Sequence, residues 1–399
     1  MKYIVLVPDG MGDYPVKELG GRTPLEAAKT PNMDFVVRQG VLGRVTTVPS
    51  GFSPASDVAN LSILGYDPKV YYTGRGPLEA ANLGVTLGKD DVAFRCNLIT
   101  AEGDTLRDYS AGHITSEESA VLLDFLNDKL GASDIVFYHG VSYRHLVVVR
   151  GGLNQRLHKL VCAPPHDIIG RKVSANLPKG KNADIVIEMM QRSRELLGGH
   201  DVNNVRIDLR ENPANMIWLW GQGLAPTMPS FKERFGISGA VISAVDLIKG
   251  IGRLISLEVL DVPGATGYYD TDYFAKAKYA LRSLERGDFV YAHVEAPDEA
   301  GHNGDLREKI VAIERFDQLV VGAILDALKK KEDFRLLILP DHATPLSKRA
   351  HTRDKVCFVL YGAGVVSNGF NRFSEPEAQK SRVYINQGHK MIDYLMRTW

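Results

Sequence analysis

Residues 289–339 read FVYAHVEAPDEAGHNGDLREKIVAIERFDQLVVGAILDALKKKEDFRLLIL. An apolar run, Phe289–Val294, leads into an amphipathic stretch from Leu306 to Lys330, and a second apolar run follows at Leu336–Leu339. Within the stretch, Ile310, Ile313, Phe316, Val320, Ile324 and Leu328 recur at helical spacing. Three lysines close it, where a helix dipole favours positive charge. Strand, helix, strand predicts a βαβ unit and therefore an α/β sheet covered by helices. The runs Tyr3–Val7, Met216–Trp220 and Val356–Tyr361 also read as buried parallel strands. The expected class is α/β, with a mostly parallel sheet flanked by helices.

The middle of the chain has another texture. A helix is expected over Ser116–Leu130, after a Thr-Ser start, and a strand at His145–Val149. A Pro/Gly/Lys-rich stretch at Leu177–Asn182 precedes a further helix. This segment reads as a smaller α/β or α+β domain inserted into the first. The expected division is residues 1–72 plus 211–399 for the outer domain and 73–210 for the insertion.

Composition narrows the function classes. With 399 residues, 44% hydrophobic and 24% charged, the chain is long enough for two domains and has an ordinary globular balance. Lys plus Arg and Asp plus Glu are equal at 48 each, which argues against binding driven by nucleic-acid phosphates or anionic lipid. Cys96, Cys162 and Cys357 form neither a disulfide framework nor a CxxC site, so a reducing, cytoplasmic setting is expected. The apolar run Ile4–Val7 is too short for a signal peptide, and no run approaches the roughly 20 apolar residues of a membrane span.

Three predicted strands run into acidic or histidine-bearing turns: Pro8-Asp9-Gly10, Glu295-Ala296-Pro297-Asp298 and Pro340-Asp341-His342. Ligands of open α/β sheets bind beyond the carboxyl ends of the strands, so these turns are expected to converge. Asp298 and His302, four apart, share a face if helical. Each residue alone has a bland reading: a cap for Asp298 or Asp341, a turn for Asp9, a structural imidazole for His342 or His351. Together, Asp9, Asp298, His302, Asp341, His342 and His351 supply three carboxylates and three imidazoles. That set suits two divalent cations, with Mn2+ favoured and Mg2+, Co2+ or Zn2+ as alternatives. Ser53–Leu61 reads as a loop turning into a helix. Ser56 is either a nucleophile at the positive helix end or, like Asp57, a cap.

In this order, Asp9, Ser56-Asp57-Val58, Asp298-x-x-x-His302, Asp341-His342 and His351-Thr352 resemble the alkaline-phosphatase superfamily. More closely they resemble the cofactor-independent (2,3-bisphosphoglycerate-independent) phosphoglycerate mutases of the shorter, archaeal-type branch. Residues 8–13 (PDGMGD), 30–34 (TPNMD), 56–67 (SDVANLSILGYD), 72–80 (YTGRGPLEA, read from Tyr72) and 218–223 (WLWGQG) carry the likeness, which spans nearly the whole chain. The resemblance implies an alkaline-phosphatase-like fold and phosphorylation of Ser56. It implies one cation on Asp298, His302 and His351, and another on Asp9, Ser56, Asp341 and His342. It further implies a small phosphorylated acid as substrate, no need for 2,3-bisphosphoglycerate, and Lys249 as a phosphate-supporting lysine. Arg95, Asn97, Asp108, His113 and Arg144 are candidates for substrate contact, Arg144 and Lys249 also for catalysis, and Pro165-His166-Asp167 is a substrate loop or a turn. The expected reaction is interconversion of 3- and 2-phosphoglycerate. A homoserine-kinase-like phosphotransferase or phosphatase, or a metal-binding module without catalysis, are the alternatives.

Overall fold

A computed structural model describes residues 1–329 and 331–397. The chain divides into two units, one made of Met1–Tyr72 and Met228–Trp399, the other of Thr73–Thr227. The strands, in chain order, are β1 (Lys2–Pro8), β2 (Val41–Val45), β3 (Val92–Glu102), β4 (Thr105–Asp108), β5 (Ile135–Val141), β6 (Arg144–Val149), β7 (Met216–Leu224), β8 (Gly239–Ile242), β9 (Glu258–Val259), β10 (Phe289–Val294), β11 (Phe334–Ile338), β12 (Val356–Gly362) and β13 (Tyr384–Ile385).

The first unit holds an eight-stranded sheet in the order β13-β2-β12-β11-β1-β10-β8-β9. Every neighbouring pair is parallel except the two made by β12, which runs against both β11 and β2. β12 was expected to be parallel. Its apolar run is buried on both faces, and the hydrophobic pattern alone carries no direction. Alternate residues of the central strands, Ile4, Leu6, Val290, Ala292, Val294, Leu336 and Ile338, pack on one side against Ala277, Ala280, Ile313, Phe316, Val320 and Ile324. Each fully buried Val, Leu, Ile or Phe among them contributes about 1.5–3 kcal/mol. The long amphipathic stretch is helical from Leu306 to Leu328 but passes through a π-helical turn at Phe316–Val321. Lys330, at the end of the expected helix, lies outside the described residues.

The second unit is α+β. Its strands pair only antiparallel, in the order β4-β3-β6-β5 with β7 on the other edge of β3. The helix Ser116–Leu130 starts from a capping box between Thr115 and Glu118. Two expectations are corrected here. Met216–Trp220 belongs to β7 and is antiparallel, and the chain leaves this unit after Thr227 rather than after residue 210. The cause is the same for both: Met216–Leu224 completes its backbone hydrogen bonds on β3, so it belongs to that sheet.

Candidate active site

β1 lies between β10 and β11 and is parallel to both, with Pro8 beside Val294 and Leu6 beside Ile338. The carboxyl ends of the three strands therefore share one rim, which is why residues 9, 298 and 341 meet. Gly10 makes the turn after β1 at φ 58°. A Cβ there would overlap the Asp298 carboxylate. Gly10→Ala is expected to destabilise the first unit by about 1–3 kcal/mol and to displace Asp298. Urea unfolding followed with cation titration checks it, and unchanged values for both would refute the steric argument.

Asp9, Asp298, Asp341 and His342 are buried, and His302 and His351 are half-buried. Ligand atoms of Asp298, His342 and His351 lie within 4.8 Å of one another, as do those of Asp9, His293 and Asp341. His302 Nε2 is 3.2 Å from Asp298 and 2.8 Å from His351 Nε2. Its Nδ1 faces the Arg349 carbonyl at 3.1 Å, so Nε2 is the nitrogen turned toward Asp298 and His351. His342 Nε2 stands between the groups, 3.4 Å from Asp9 and 3.5 Å from Asp341.

His293 is the residue that sequence reasoning missed. It sits inside β10, fully buried, 3.4 Å from Asp9 through Nε2 and 3.3 Å from Glu295 through Nδ1. The run FVYAHV conceals it as one more strand residue. The available signal was the alternation that puts Tyr291 and His293 on the face opposite Val290, Ala292 and Val294. Asn60 was missed too. It lies one helical turn after Ser56 and donates to Asp341 Oδ2 at 2.8 Å, while its Oδ1 accepts from the Tyr291 hydroxyl.

The electrostatics of this rim suit a cation. Burial, followed by Asp341, Asp298 and Glu295, pushes the Asp9 carboxyl well above its usual range. Burial pulls His342 down to about 4, so its imidazole is neutral and fit to coordinate. Burial also opposes charge on His293 and His302, yet carboxylate neighbours hold each up at about 9: Asp341 and Glu295 for His293, Asp298 for His302. Asp9 Oδ1 and His293 Nε2 are buried without a hydrogen-bond partner. Crowded carboxylates, converging imidazoles and buried unbonded polar atoms fit divalent cations with mixed oxygen and nitrogen ligands.

Ser56 opens the helix Ser56–Ile63, where Ala55 is the N-cap residue and makes no side-chain cap. The capping reading of Ser56 therefore falls. Its hydroxyl instead meets His342 Nε2 at 3.1 Å. Asp57 accepts from the Val58 N–H, in the first turn of the same helix, and from the Tyr72 hydroxyl.

The other expected residues have contacts of their own. Lys249, in the helix Asp246–Leu254, pairs with Asp261 at 2.8 Å. Arg95, Asn97, Asp108, His113 and Arg144 all belong to the second unit. There Asp108 shapes a loop, accepting from Ser110, Gly112 and Asn212, and His113 packs edge-on to Tyr143. Pro165–Ile168 is a 3-10 turn.

A family model described as 2,3-bisphosphoglycerate-independent phosphoglycerate mutase matches residues 37–203. A protein of that name from Methanothrix thermoacetophila is 50% identical over 397 residues, 99% of this chain and 100% of the relative. The chain belongs to this family. Among solved structures, a Pyrococcus horikoshii protein is 33% identical with a TM-score of 0.84, covering 99% of this chain and 96% of the other. A cofactor-independent phosphoglycerate mutase from Thermoplasma acidophilum is 28% identical with a TM-score of 0.67, covering 99% of each chain. The fold described above is thus shared with a cofactor-independent phosphoglycerate mutase.

Proposed function

We propose that the chain interconverts 3-phosphoglycerate and 2-phosphoglycerate without 2,3-bisphosphoglycerate, through phosphorylation of Ser56. The observation that carries this reading is the Ser56 hydroxyl, freed from any capping role at a helix N-terminus and set 3.1 Å from His342 in a cluster of carboxylates and imidazoles. Phosphoryl passes from the substrate's 3-oxygen to Ser56 Oγ, and the bond to the 3-oxygen breaks. The 2-hydroxyl of the retained glycerate then attacks, the bond to Oγ breaks, and Ser56 regains its proton. Helix N–H groups at Ser56 face the phosphoryl oxygens. Asn60 holds Asp341 in place while this happens.

Two divalent cations, with Mn2+ favoured, are proposed on Asp9, Asp298, His302, Asp341, His342 and His351, with Ser56 and His293 completing the donor set. Bound there, they supply positive charge that stabilises the serine alkoxide and the transferring phosphoryl group. Arg95, Arg144 and Lys249 are proposed for the substrate's charges. A cytoplasmic setting is part of the reading and agrees with three free cysteines. Among the described residues, no helix is long and apolar enough to cross a membrane. The homoserine-kinase-like and non-catalytic readings are not favoured, since the full-length relative at 50% identity carries the mutase name.

The test is an enolase-coupled assay on chelator-stripped protein. Activity is expected to vanish on stripping and to return with Mn2+ at about two ions per chain, without added bisphosphoglycerate. Full turnover in the stripped protein would sink the reading.

A further inference from the structure

Thr344 has no role so far, though it lies wholly out of solvent among the proposed cation ligands. Its place is fixed by the chain around it. The Thr344 N–H donates to the Gly12 carbonyl at 3.1 Å, in the turn after β1. The Thr344 carbonyl accepts from Lys309 Nζ at 2.7 Å, a fully buried ammonium that also pairs with Asp13 at 2.8 Å. A Cβ on Gly301 would overlap that same carbonyl, so the helix Ala296–Asn303, which carries Asp298 and His302, packs directly onto it. One residue earlier, the Ala343 carbonyl accepts from the Thr352 N–H at 2.9 Å, next to His351. Every segment that bears a proposed ligand from Asp298 to His351 is therefore tied to this point.

The Thr344 hydroxyl meets two of the proposed ligands. Oγ1 donates to Asp298 Oδ1 and lies 3.2 Å from His342 Nδ1. A hydroxyl has one proton and two lone pairs. With that proton given to Asp298, Oγ1 can only accept from His342, so the imidazole proton sits on Nδ1 and Nε2 is left bare. Nε2 is the atom turned toward Asp9, Asp341 and the Ser56 hydroxyl, at 3.4, 3.5 and 3.1 Å. The protons of the chain Ser56, His342, Thr344, Asp298 then all point one way, from the serine to the carboxylate. Asp298 Oδ2 stays turned to His302 Nε2 at 3.2 Å. Valine would fill the same space with no hydroxyl to satisfy, and a buried hydroxyl costs stability unless its hydrogen bonds are made.

We propose that Thr344 is a positioning residue for the cations: its hydroxyl fixes His342 in the form with a bare Nε2 and aims Asp298, so both side chains are set for coordination before an ion arrives. The inference rests on the cation cluster proposed above. A hydrogen-bonding partner behind a metal ligand typically changes metal affinity by about 10- to 100-fold. Thr344→Val is therefore expected to weaken Mn2+ binding by about 10- to 100-fold. Thr344→Ser keeps the hydroxyl and should bind Mn2+ within about threefold of the wild type.

Calorimetric titration of the chelator-stripped full chain with Mn2+ reads affinity without turnover. Nitrogen NMR of the same protein, isotope-labelled at histidine and assigned by the signal lost in His342→Gln, reads where the His342 proton sits. The wild type and Thr344→Ser are expected to show Nδ1–H with a bare Nε2, and Thr344→Val to lose that preference. A wild-type His342 with its proton on Nε2, or on both nitrogens, overturns the proposal and requires no variant to fold. Unchanged Mn2+ affinity in Thr344→Val overturns it too, even where thermal stability falls, since a purely structural hydroxyl gives that result. Absence of Mn2+ binding by the wild type would remove the cation reading itself, and the positioning role with it, whichever nitrogen holds the proton.

Discussion

Ser56→Ala is expected to lower mutase turnover by about 10,000- to 1,000,000-fold, the scale seen when a nucleophile is removed from a group of cooperating residues. That corresponds to about 5–8 kcal/mol of transition-state stabilisation. The fold should survive. Ala55 is the N-cap, no side-chain cap is lost, and alanine suits the first turn of a helix. The contact with His342 is the one hydrogen bond removed, worth about 1 kcal/mol. Cation content should also persist, because the carboxylates and imidazoles of both ligand groups remain. The enolase-coupled assay, metal analysis and mass spectrometry for phosphoserine on substrate-treated wild type check these points. Turnover within tenfold of the wild type in Ser56→Ala would end the phosphoserine mechanism.

The second large effect concerns Lys276, which supports the rim from behind through Glu295 and His293. Its ammonium pairs with Glu295 Oε2 and donates to the His293 carbonyl at 3.0 Å. Both side chains are out of solvent, at 0% and 3% exposure. Glu295 also accepts from the Ser243 hydroxyl at 2.9 Å and the Ala244 N–H at 2.7 Å, and it faces His293 Nδ1. Lys276→Met would leave a carboxylate buried without its cation, which costs about 3–5 kcal/mol. Adding Glu295→Gln should recover more than half, since the neutral amide still offers an oxygen to Ser243 and Ala244. Because His293 is oriented by Glu295, Mn2+ affinity of Lys276→Met is expected to fall about 10- to 100-fold. Urea unfolding and Mn2+ titration measure the two effects. A stability loss below about 1 kcal/mol would show that the pair contributes no more than a surface ion pair.

Asp9, Asp298, Asp341 and His342 were legible because each follows an apolar run, and the carboxyl ends of neighbouring parallel strands must share a rim. His302 and His351 came from spacing and from the ordered resemblance. His293 and Asn60 were hidden for a common reason. A buried polar residue inside a strand or helix is indistinguishable from a packing residue until the element facing it is known. The directions of β7 and β12 were hidden likewise. Both are short apolar runs, and hydrogen bonding to β3 or to β11 decides their sense, not anything within five to nine residues of sequence.

By itself, then, the sequence determined the βαβ core, the strand-end acids and imidazoles, and Ser56 at the start of a helix. These are local patterns, set by hydrophobic period and by what ends a strand. Only the tertiary structure decided that Ser56 is no cap and meets His342, that His293 and Asn60 join the rim, and that Thr344 links His342 to Asp298. Each of these depends on side chains far apart in sequence reaching one point, and pairing between strands, not composition or period, brings them there.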